Sequence, residues 1–191
     1  MRSAGYPVVV VDDGSDDGTG AKARSAGAEV IHLPENRGKG TAIAAGLVRC
    51  ATPYIILMDA DLVGLQKGHI EALLTPVSSG QAEMSVGIFR KGRWNTDLAQ
   101  KLSPNLSGQR ALKTELLRQV PGLADARFDV EVVINTTAKE HGWRVVYVPM
   151  SGVSQVTKEQ KRGFARGFVH RMQMYYQLLR GWIRLRRQRG F

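Results

Sequence analysis

The sequence predicts an α/β fold, a mostly parallel sheet flanked by helices, followed by a basic amphipathic helix. Short apolar segments, several of them rich in β-branched residues, alternate with segments that can be helical, as in sheets covered by helices on both faces. The length of 191 residues corresponds to roughly one domain. From about Val156 the alternation gives way to one long helical pattern. We therefore divide the chain into an α/β domain, residues 1–155, and a helical tail, residues 156–191.

The alternation can be followed element by element. The segments that read as strands are mostly apolar and short, and they span residues 8–11, 28–33, 54–58, 83–89 and 144–148. The segments between them that can be helical span residues 18–26, 39–50, 66–74, 109–119 and 129–141. A loop around Pro104 and Ser107 separates an early half from a late half.

Composition excludes several classes of protein. Apolar residues make up 43% of the chain and charged residues 23%, which is near the globular average and excludes a disordered chain. The single cysteine, Cys50, excludes an internal disulfide and a multi-cysteine zinc site. No apolar run approaches the ~20 residues that a membrane-spanning helix needs.

The positive charge is concentrated in the tail. Residues 158–191 contain ten Lys or Arg against the single acid Glu159, a net charge of +9, out of +10 for the whole chain. The stripe of apolar residues on this predicted helix comprises Phe164, Phe168, Met172, Tyr175, Leu179 and Trp182. The opposite face carries Arg162, Arg166, Arg180, Arg184 and Arg187. Such a helix either lies on an anionic membrane surface or docks its stripe on the domain or on a second subunit.

Polar residues follow the first three predicted strands. Asp12 and Asp13 come after the first strand, residues 35–40 after the second, and Asp59 and Asp61 after the third. In open α/β sheets the ligand binds outside the carboxyl ends of the strands. The sequence therefore predicts a site at this edge of the sheet.

Each of these loops also has a simpler interpretation. Residues 12–19 resemble a calcium loop, but Arg24 stands where that loop needs Glu, and a turn with a helix cap is the alternative. Residues 36–41 could cradle a phosphate at a helix start, although Leu33 and Gly40 exclude a Walker loop. Asp59 and Asp61 could share a hard cation such as Mg²⁺ or Mn²⁺, or serve only the turn.

The order of the motifs is more specific than any one of them. Val-Asp-Asp-Gly-Ser ends the first strand, Asn-Arg-Gly-Lys-Gly opens the second helix, and Asp-Ala-Asp-Leu follows the third strand. This order resembles the nucleotide-sugar-binding half of a GT-A (Rossmann-like) glycosyltransferase of family 2. Within that family it resembles dolichyl-phosphate mannosyltransferase-like and glucosyl-3-phosphoglycerate synthase-like enzymes. Residues 107–112, 128–131 and 142–149 resemble later segments of the same family, so the likeness covers about residues 8–150.

The resemblance implies roles for the donor-side residues. Asp13 would accept a hydrogen bond from the nucleobase, and Lys39 would lie near the base and the phosphates. Asp59 would contact the ribose or the metal, and Asp61 would ligate the metal that neutralises the diphosphate leaving group.

On the acceptor side, Glu131 matches an acidic position and would be the general base, with Asp129 as the fallback. The alternative for Glu131 is an acid favoured by the helix dipole. Gly108 belongs to a loop that would bind the acceptor. Arg110 would pair with an acceptor phosphate or simply cover its helix. His170 is the only late histidine that could add a metal ligand, and packing is the simpler interpretation.

We therefore expect a glycosyltransferase that depends on Mg²⁺ or Mn²⁺. It would use a UDP- or GDP-sugar and a small-molecule or polyprenyl-phosphate acceptor, and it would bind no nucleic acid. We expect it in the cytoplasm, with the inner face of the cell membrane as a site of peripheral attachment. The rival interpretations are a sugar-nucleotide nucleotidyltransferase and a non-catalytic protein that binds nucleic acid or other anions through the tail.

The resemblance also implies one strand that this sequence does not contain. The sheet of the family begins with an earlier strand, whose end contacts the nucleobase, whereas here Val8 follows Met1 after only six residues. The neighbouring strand would then have an uncovered edge. We expect either a longer natural protein or a chain that binds its donor weakly.

Overall fold

A computed structural model of the chain describes residues 5–89, 107–127 and 129–155. The strands are β1 (Val9–Asp13), β2 (Glu29–Leu33), β3 (Tyr54–Leu57), β4 (Leu62–Val63), β5 (Met84–Ile88), β6 (Arg110–Lys113), β7 (Val145–Pro149) and β8 (Ser154–Gln155). The helices are α1 (Thr19–Ser25), α2 (Lys39–Val48), α3 (Lys67–Ser78), α4 (Thr114–Arg118) and α5 (Val130–Glu140). The alternation of strands and helices confirms the predicted α/β class.

Two predicted helices differ from the structure. The segment 109–119 is not one helix, because its first half forms strand β6, which bonds to β3 on one side and to β5 on the other. Burial between two strands decides the matter against helix propensity. Helix α3 continues past the predicted end at residue 74 and includes Pro76. Ile70, Leu73 and Val77 are buried on one face, and this packing favours the last turn despite the lost backbone donor.

Most strands of the main sheet run in one direction. Its order is β3-β6-β5-β7, with β5 parallel to β7 and β6 antiparallel to both β3 and β5. Strands β3, β5 and β7 therefore point the same way and only β6 is reversed. Strands β1 and β2 form a separate parallel pair, and β4 pairs antiparallel with β8. The predicted mostly parallel sheet flanked by helices is thus confirmed.

The pairing of β1 and β3 concerns the earlier strand that the sequence analysis expects. Among the described residues, β1 bonds to β2 alone and β3 bonds to β6 alone. Each of these two strands therefore has one edge to which the described part of the chain adds no partner. The existence of a preceding strand stays a prediction.

Two apolar clusters pack on the two faces of β6. Ala111 belongs to one cluster and Leu112 to the other, because successive residues of a strand point to opposite faces. The larger cluster joins β5 and β6 to α2 and α5 through Leu47, Met84, Val86, Leu112, Leu117, Val130 and Ile134. The smaller cluster joins α3 to β6, β7 and the turn after β7 through Leu73, Val77, Ala111, Val148, Met150 and Val153.

A glycine lets the start of α2 touch the loop before α5. A Cβ atom at residue 40 would lie 2.1 Å from the carbonyl oxygen of Leu123 and 2.2 Å from that of Ala126. The amide of Gly40 instead donates a hydrogen bond of 2.8 Å to Ala126 O. This contact fixes the position of Lys39, the first residue of α2, relative to α5.

No helix within residues 5–89, 107–127 and 129–155 is long and apolar enough to cross a membrane. The predicted amphipathic helix and the tail domain, residues 156–191, lie outside the described residues, as does His170.

One ion pair joins the beginnings of β5 and β7. The backbone amide of Arg144 donates to Glu83 Oε2 at 2.8 Å, and its guanidinium contacts both carboxylate oxygens. These hydrogen bonds from Arg144 lower the pKa of Glu83 from the ordinary value of 4.5 to about 2. The carboxylate form of Glu83 therefore stabilises the fold above pH ~4.5, and this contribution is lost as the pH falls towards 2.

We predict that Glu83→Gln lowers the melting temperature at pH 7 and that the difference from the wild type shrinks between pH 4.5 and 2. The reason is that protonation of Glu83 in the wild type removes the same interaction. Thermal unfolding, followed by circular dichroism at several pH values, measures the difference in melting temperature between the variant and the wild type. Glu71→Gln is the matched control, since Glu71 is half exposed and only contacts Lys67 at 3.4 Å. A loss that is independent of pH would contradict this assignment.

Candidate active site

The ends of four elements meet at one place. Lys39 is the first residue of α2, Asp59 follows β3, Gln109 directly precedes β6, and Glu131 is the second residue of α5. Three of these four residues, Lys39, Asp59 and Glu131, are among those that the sequence predicts for the site. The structure brings them into direct contact.

The ammonium group of Lys39 bridges two carboxylates. Its Nζ atom donates to Asp59 Oδ1 at 2.8 Å and to Glu131 Oε1 at 2.6 Å. The side chains are 36% exposed for Lys39, 22% for Asp59 and 12% for Glu131. Burial acts to lower the pKa of Lys39, but the charges and hydrogen bonds of Glu131 and Asp59 outweigh it, so the net pKa is raised. Lys39 is therefore held as a cation.

Gln109 is a site residue that the sequence analysis missed. Its side chain is fully buried, and Nε2 donates to Asp59 Oδ2 at 2.7 Å. The hydroxyl of Ser107 lies 3.0 Å from Gln109 Oε1. Because a carboxylate only accepts hydrogen bonds, the amide nitrogen of Gln109 must face Asp59. The only signal in the sequence is the position of Gln109 between Gly108 and Arg110, in the loop expected to bind the acceptor.

The absence of a side chain at Gly108 leaves space for the contact between Asp59 and Lys39. A Cβ atom at residue 108 would lie 2.6 Å and 2.7 Å from the two carboxylate oxygens of Asp59 and 2.8 Å from Lys39 Nζ. A side chain at this position would displace the carboxylate of Asp59 or the ammonium group of Lys39. The predicted acceptor-loop residue is thus adjacent to the donor-side residues.

Arg110 lies below the site and not on its surface. It is 1% exposed, and it lies in β6 where the sequence analysis expected a helix. Its guanidinium donates to Ser107 O at 2.6 Å and to Asn135 Oδ1 at 3.1 Å. Burial lowers the pKa of Arg110, and the charges of Glu131 and Asp59 act against that shift. Arg110 joins the 107–109 loop to α5, and its contact with an acceptor phosphate stays a prediction.

Asp13 binds the start of α2 within the protein. Its Oδ1 accepts the backbone amide of Arg37 and its Oδ2 accepts that of Gly38, both at 2.8 Å. These two amides, which the sequence analysis considered for a phosphate, are thus used by a side chain. The neighbouring Asp12 is buried and accepts the amide of Ser15 at 3.0 Å, which orders the turn after β1.

Asp61 and Asp129 are each two residues from a member of this contact in the sequence, Asp61 after Asp59 and Asp129 before Glu131. Asp61 directly precedes β4, and β4 is held by its pairing with β8. Asp129 precedes α5, and its Oδ1 accepts the backbone amide of Arg127 at 3.0 Å. Asp129 therefore orders the loop before α5, whereas Glu131 contacts Lys39.

Magnesium and manganese ions prefer oxygen ligands such as carboxylates. No group of three or more His, Cys, Asp or Glu residues able to hold a metal occurs in residues 5–89, 107–127 and 129–155. Asp59 and Asp61 are two carboxylates at one strand end. Mg²⁺ is commonly bound by one or two carboxylates, with phosphate oxygens and water completing its shell. That Asp59 and Asp61 hold such an ion stays a prediction.

Comparison with known proteins places the chain in a family. The sequence profile of the family described as Glycosyl transferase family 2 matches residues 4–132. An uncharacterized glycosyltransferase of Mycobacterium tuberculosis is 28% identical, over 87% of this chain and 83% of the relative. The pre-mycofactocin glycosyltransferase of the same organism is also 28% identical, over 83% of this chain but only 39% of the relative.

Solved structures show the same fold. Glucosyl-3-phosphoglycerate synthase from Mycobacterium tuberculosis, in complex with Mn²⁺, UDP and glucosyl-3-phosphoglycerate, matches with a TM-score of 0.66 and 23% identity over 78% of this chain. Its complex with Mn²⁺, UDP-glucose and glycerol 3-phosphate gives a TM-score of 0.65 and 24% identity, also over 78% of this chain. The chain spans about three fifths of the length of these solved structures.

The fold expected from the motifs is therefore confirmed, and the match covers Asp13 and Asp59 at strand ends and Lys39 and Glu131 at helix starts. Since the family profile covers more than half of the chain, the protein belongs to glycosyl transferase family 2.

Proposed function

We propose that the protein transfers a sugar from a UDP- or GDP-sugar to a hydroxyl or phosphate oxygen of an acceptor, with Mg²⁺ or Mn²⁺ as cofactor. The observation that carries this proposal is the meeting of Lys39, Asp59 and Glu131 from three elements at the carboxyl end of β3. The ammonium group of Lys39 would bind phosphate, the carboxylate of Asp59 would bind the metal, and the carboxylate of Glu131 would act as the base. Structural relatives crystallised with Mn²⁺ and UDP-glucose support the choice of donor and metal.

On the donor side, each residue has a proposed task. Asp59 and Asp61 would hold the metal, which would neutralise the diphosphate as it leaves. Lys39 would add a second positive charge beside the phosphates. Asp13, whose carboxylate oxygens each keep a lone pair beyond the amides of Arg37 and Gly38, would accept a hydrogen bond from the nucleobase.

On the acceptor side, Glu131 is the proposed general base. The bond between the anomeric carbon and the diphosphate oxygen breaks, and a bond from that carbon to the acceptor oxygen forms. When the acceptor is a hydroxyl, its proton passes to the Glu131 carboxylate. The small exposed fraction of Glu131, 12%, limits competition from water. The contact of Glu131 with Lys39 favours this role over that of a helix-end acid, since its carboxylate faces the site.

The acceptor itself is proposed by class only. Gly108 borders the ion pair, and Arg110 supports the same loop from below. A structural relative was crystallised with UDP-glucose and glycerol 3-phosphate, which favours a phosphate-bearing small molecule. A polyprenyl phosphate has the same anionic group and is the other candidate. The general test is a screen of UDP- and GDP-sugars with Mg²⁺ or Mn²⁺ that measures the release of nucleoside diphosphate. Release of pyrophosphate from a nucleoside triphosphate and a sugar 1-phosphate would instead indicate a nucleotidyltransferase.

We also propose that the tail attaches the protein to the anionic inner face of the cell membrane, from a cytoplasmic location. The support is the sequence of residues 158–191, whose net charge is +9 and in which six apolar residues fall on one predicted helical stripe. Docking of that stripe on the domain or on a second subunit is the alternative.

We predict that Asp61→Asn abolishes transfer and metal-dependent nucleotide binding without unfolding the protein, because the amide withdraws a negative ligand from the cation. Calorimetric titration of UDP in the presence and absence of Mn²⁺ measures the binding. Asp125→Asn, an exposed position in the loop before α5, is the control and keeps wild-type binding. Full activity of Asp61→Asn would remove the metal assignment.

For Glu131→Gln we predict a loss of about 10²–10⁴-fold in kcat with nearly unchanged donor affinity, because general-base catalysis contributes that much. Glutamine keeps an oxygen that can accept the Lys39 ammonium, so the site keeps its shape. Steady-state kinetics with a hydroxyl acceptor measure the effect, and Glu140→Gln at the far end of α5 is the control. A change confined to KM would instead make Glu131 a binding residue.

Removal of residues 158–191 is predicted to lower binding to anionic vesicles, because each Lys or Arg near such a surface contributes about 1 kcal/mol. Co-sedimentation with phosphatidylserine vesicles measures it, with neutral phosphatidylcholine vesicles as the control. Unchanged sedimentation, or a truncated protein that aggregates, would favour docking of the tail on protein.

A further inference from the structure

Lys39 neutralises two carboxylates that the fold has largely removed from water. Asp59 and Glu131 are 22% and 12% exposed, and both have an oxygen within 2.8 Å of the same Nζ atom. Two such carboxylates side by side repel one another unless a cation lies between them. In the protein without ligands, that cation is part of the chain itself.

The ammonium group occupies an oxygen that a metal ion would need. Asp59 Oδ1 contacts Lys39, and Asp59 Oδ2 accepts the Gln109 amide at 2.7 Å. Gly108 leaves room for this arrangement, since a Cβ there would lie 2.8 Å from Lys39 Nζ. A divalent cation at Asp59 would therefore lie close to the positive charge of Lys39.

An incoming diphosphate changes this balance. It brings negative charge to the site and offers the Lys39 ammonium a new partner, while its oxygens complete the shell of a metal at Asp59 and Asp61. Metal and nucleotide therefore favour one another through the displacement of Lys39.

We propose that Lys39 is a resident cation that holds Asp59 and Glu131 together until metal and nucleotide arrive, and then exchanges these carboxylates for the diphosphate. This inference rests on the proposed function for the identity of the ligands. It implies that Lys39 changes the affinities for the metal ion and for the nucleotide in opposite directions. It opposes the metal ion when the metal is alone, and it favours the nucleotide once the metal is present.

The test is Lys39→Met in the full chain, with Lys39→Arg and Lys67→Met as matched controls. Lys67 is an exposed lysine that also contacts a glutamate, Glu71. Binding of Mn²⁺ alone is followed by electron paramagnetic resonance, and binding of UDP at saturating Mn²⁺ by calorimetry. We expect Lys39→Met to bind Mn²⁺ alone about tenfold or more tightly and UDP about tenfold or more weakly, because a unit charge a few ångströms away is removed. Lys67→Met should behave as the wild type, and Lys39→Arg, which keeps the positive charge, should bind Mn²⁺ alone less tightly than Lys39→Met does.

Two outcomes overturn the inference: Mn²⁺ alone binds Lys39→Met no more tightly than the wild type, or both ligands change in the same direction. Where the loss of Lys39 impairs folding, Lys39→Gln and a thermal shift replace the titration. Mn²⁺ should then raise the melting temperature of the variant more than that of the wild type, and an equal or smaller rise counts against the inference. A wild type that binds neither UDP nor GDP with Mn²⁺ would refute the proposed function, whereas the comparison with Mn²⁺ alone still decides the role of Lys39.

Discussion

Two carboxylates from different parts of the chain share the ammonium group of Lys39, and the arrangement of the surrounding elements follows from that contact. Asp59 comes from the end of β3 and Glu131 from the first turn of α5, so the ion pair joins the early half of the chain to the late half. Gln109 fixes the second oxygen of Asp59 from β6. A buried ion pair of this kind is stable only if its remaining hydrogen bonds are made, and Gln109 makes one of them.

Close backbone approach makes the contact possible. Gly40 lets α2 begin against the carbonyl groups of the loop before α5, and Gly108 lets the loop before β6 lie against the carboxylate of Asp59. A side chain at Gly40 would collide with backbone carbonyl groups of that loop, and a side chain at Gly108 would displace the side chains of Asp59 and Lys39. Asp13 acts similarly at the other side of α2, where it binds the amides of Arg37 and Gly38. The start of α2 is thus held from two directions, and the position of Lys39 is fixed by the backbone.

The sequence predicted most of this site because its residues follow strand ends and helix starts. Asp59 and Lys39 could be located by the rule for ligands in open α/β sheets, and Glu131 by its resemblance to an acidic helix start. Gln109 could not, because its role depends on the strand β6, and the segment 109–119 has a pattern compatible with a helix. Local pattern cannot decide between the two when the deciding interaction is pairing with β3 and β5, which are distant in sequence. The same error hid the buried position of Arg110.

Arg110 and Lys39 approach the carboxylates of Asp59 and Glu131 from different directions. Arg110 lies inside the domain, where its hydrogen bonds to Ser107 O and Asn135 fix it, whereas Lys39 is 36% exposed and reaches its partners through a flexible side chain. Since the charge of Arg110 acts on both Asp59 and Glu131, part of their repulsion is compensated without Lys39. The carboxylates can therefore stay in place when Lys39 turns towards a new partner, because a permanent positive charge remains beneath them. The fixed cation, Arg110, and the movable cation, Lys39, together allow this site to exchange an internal ion pair for a ligand.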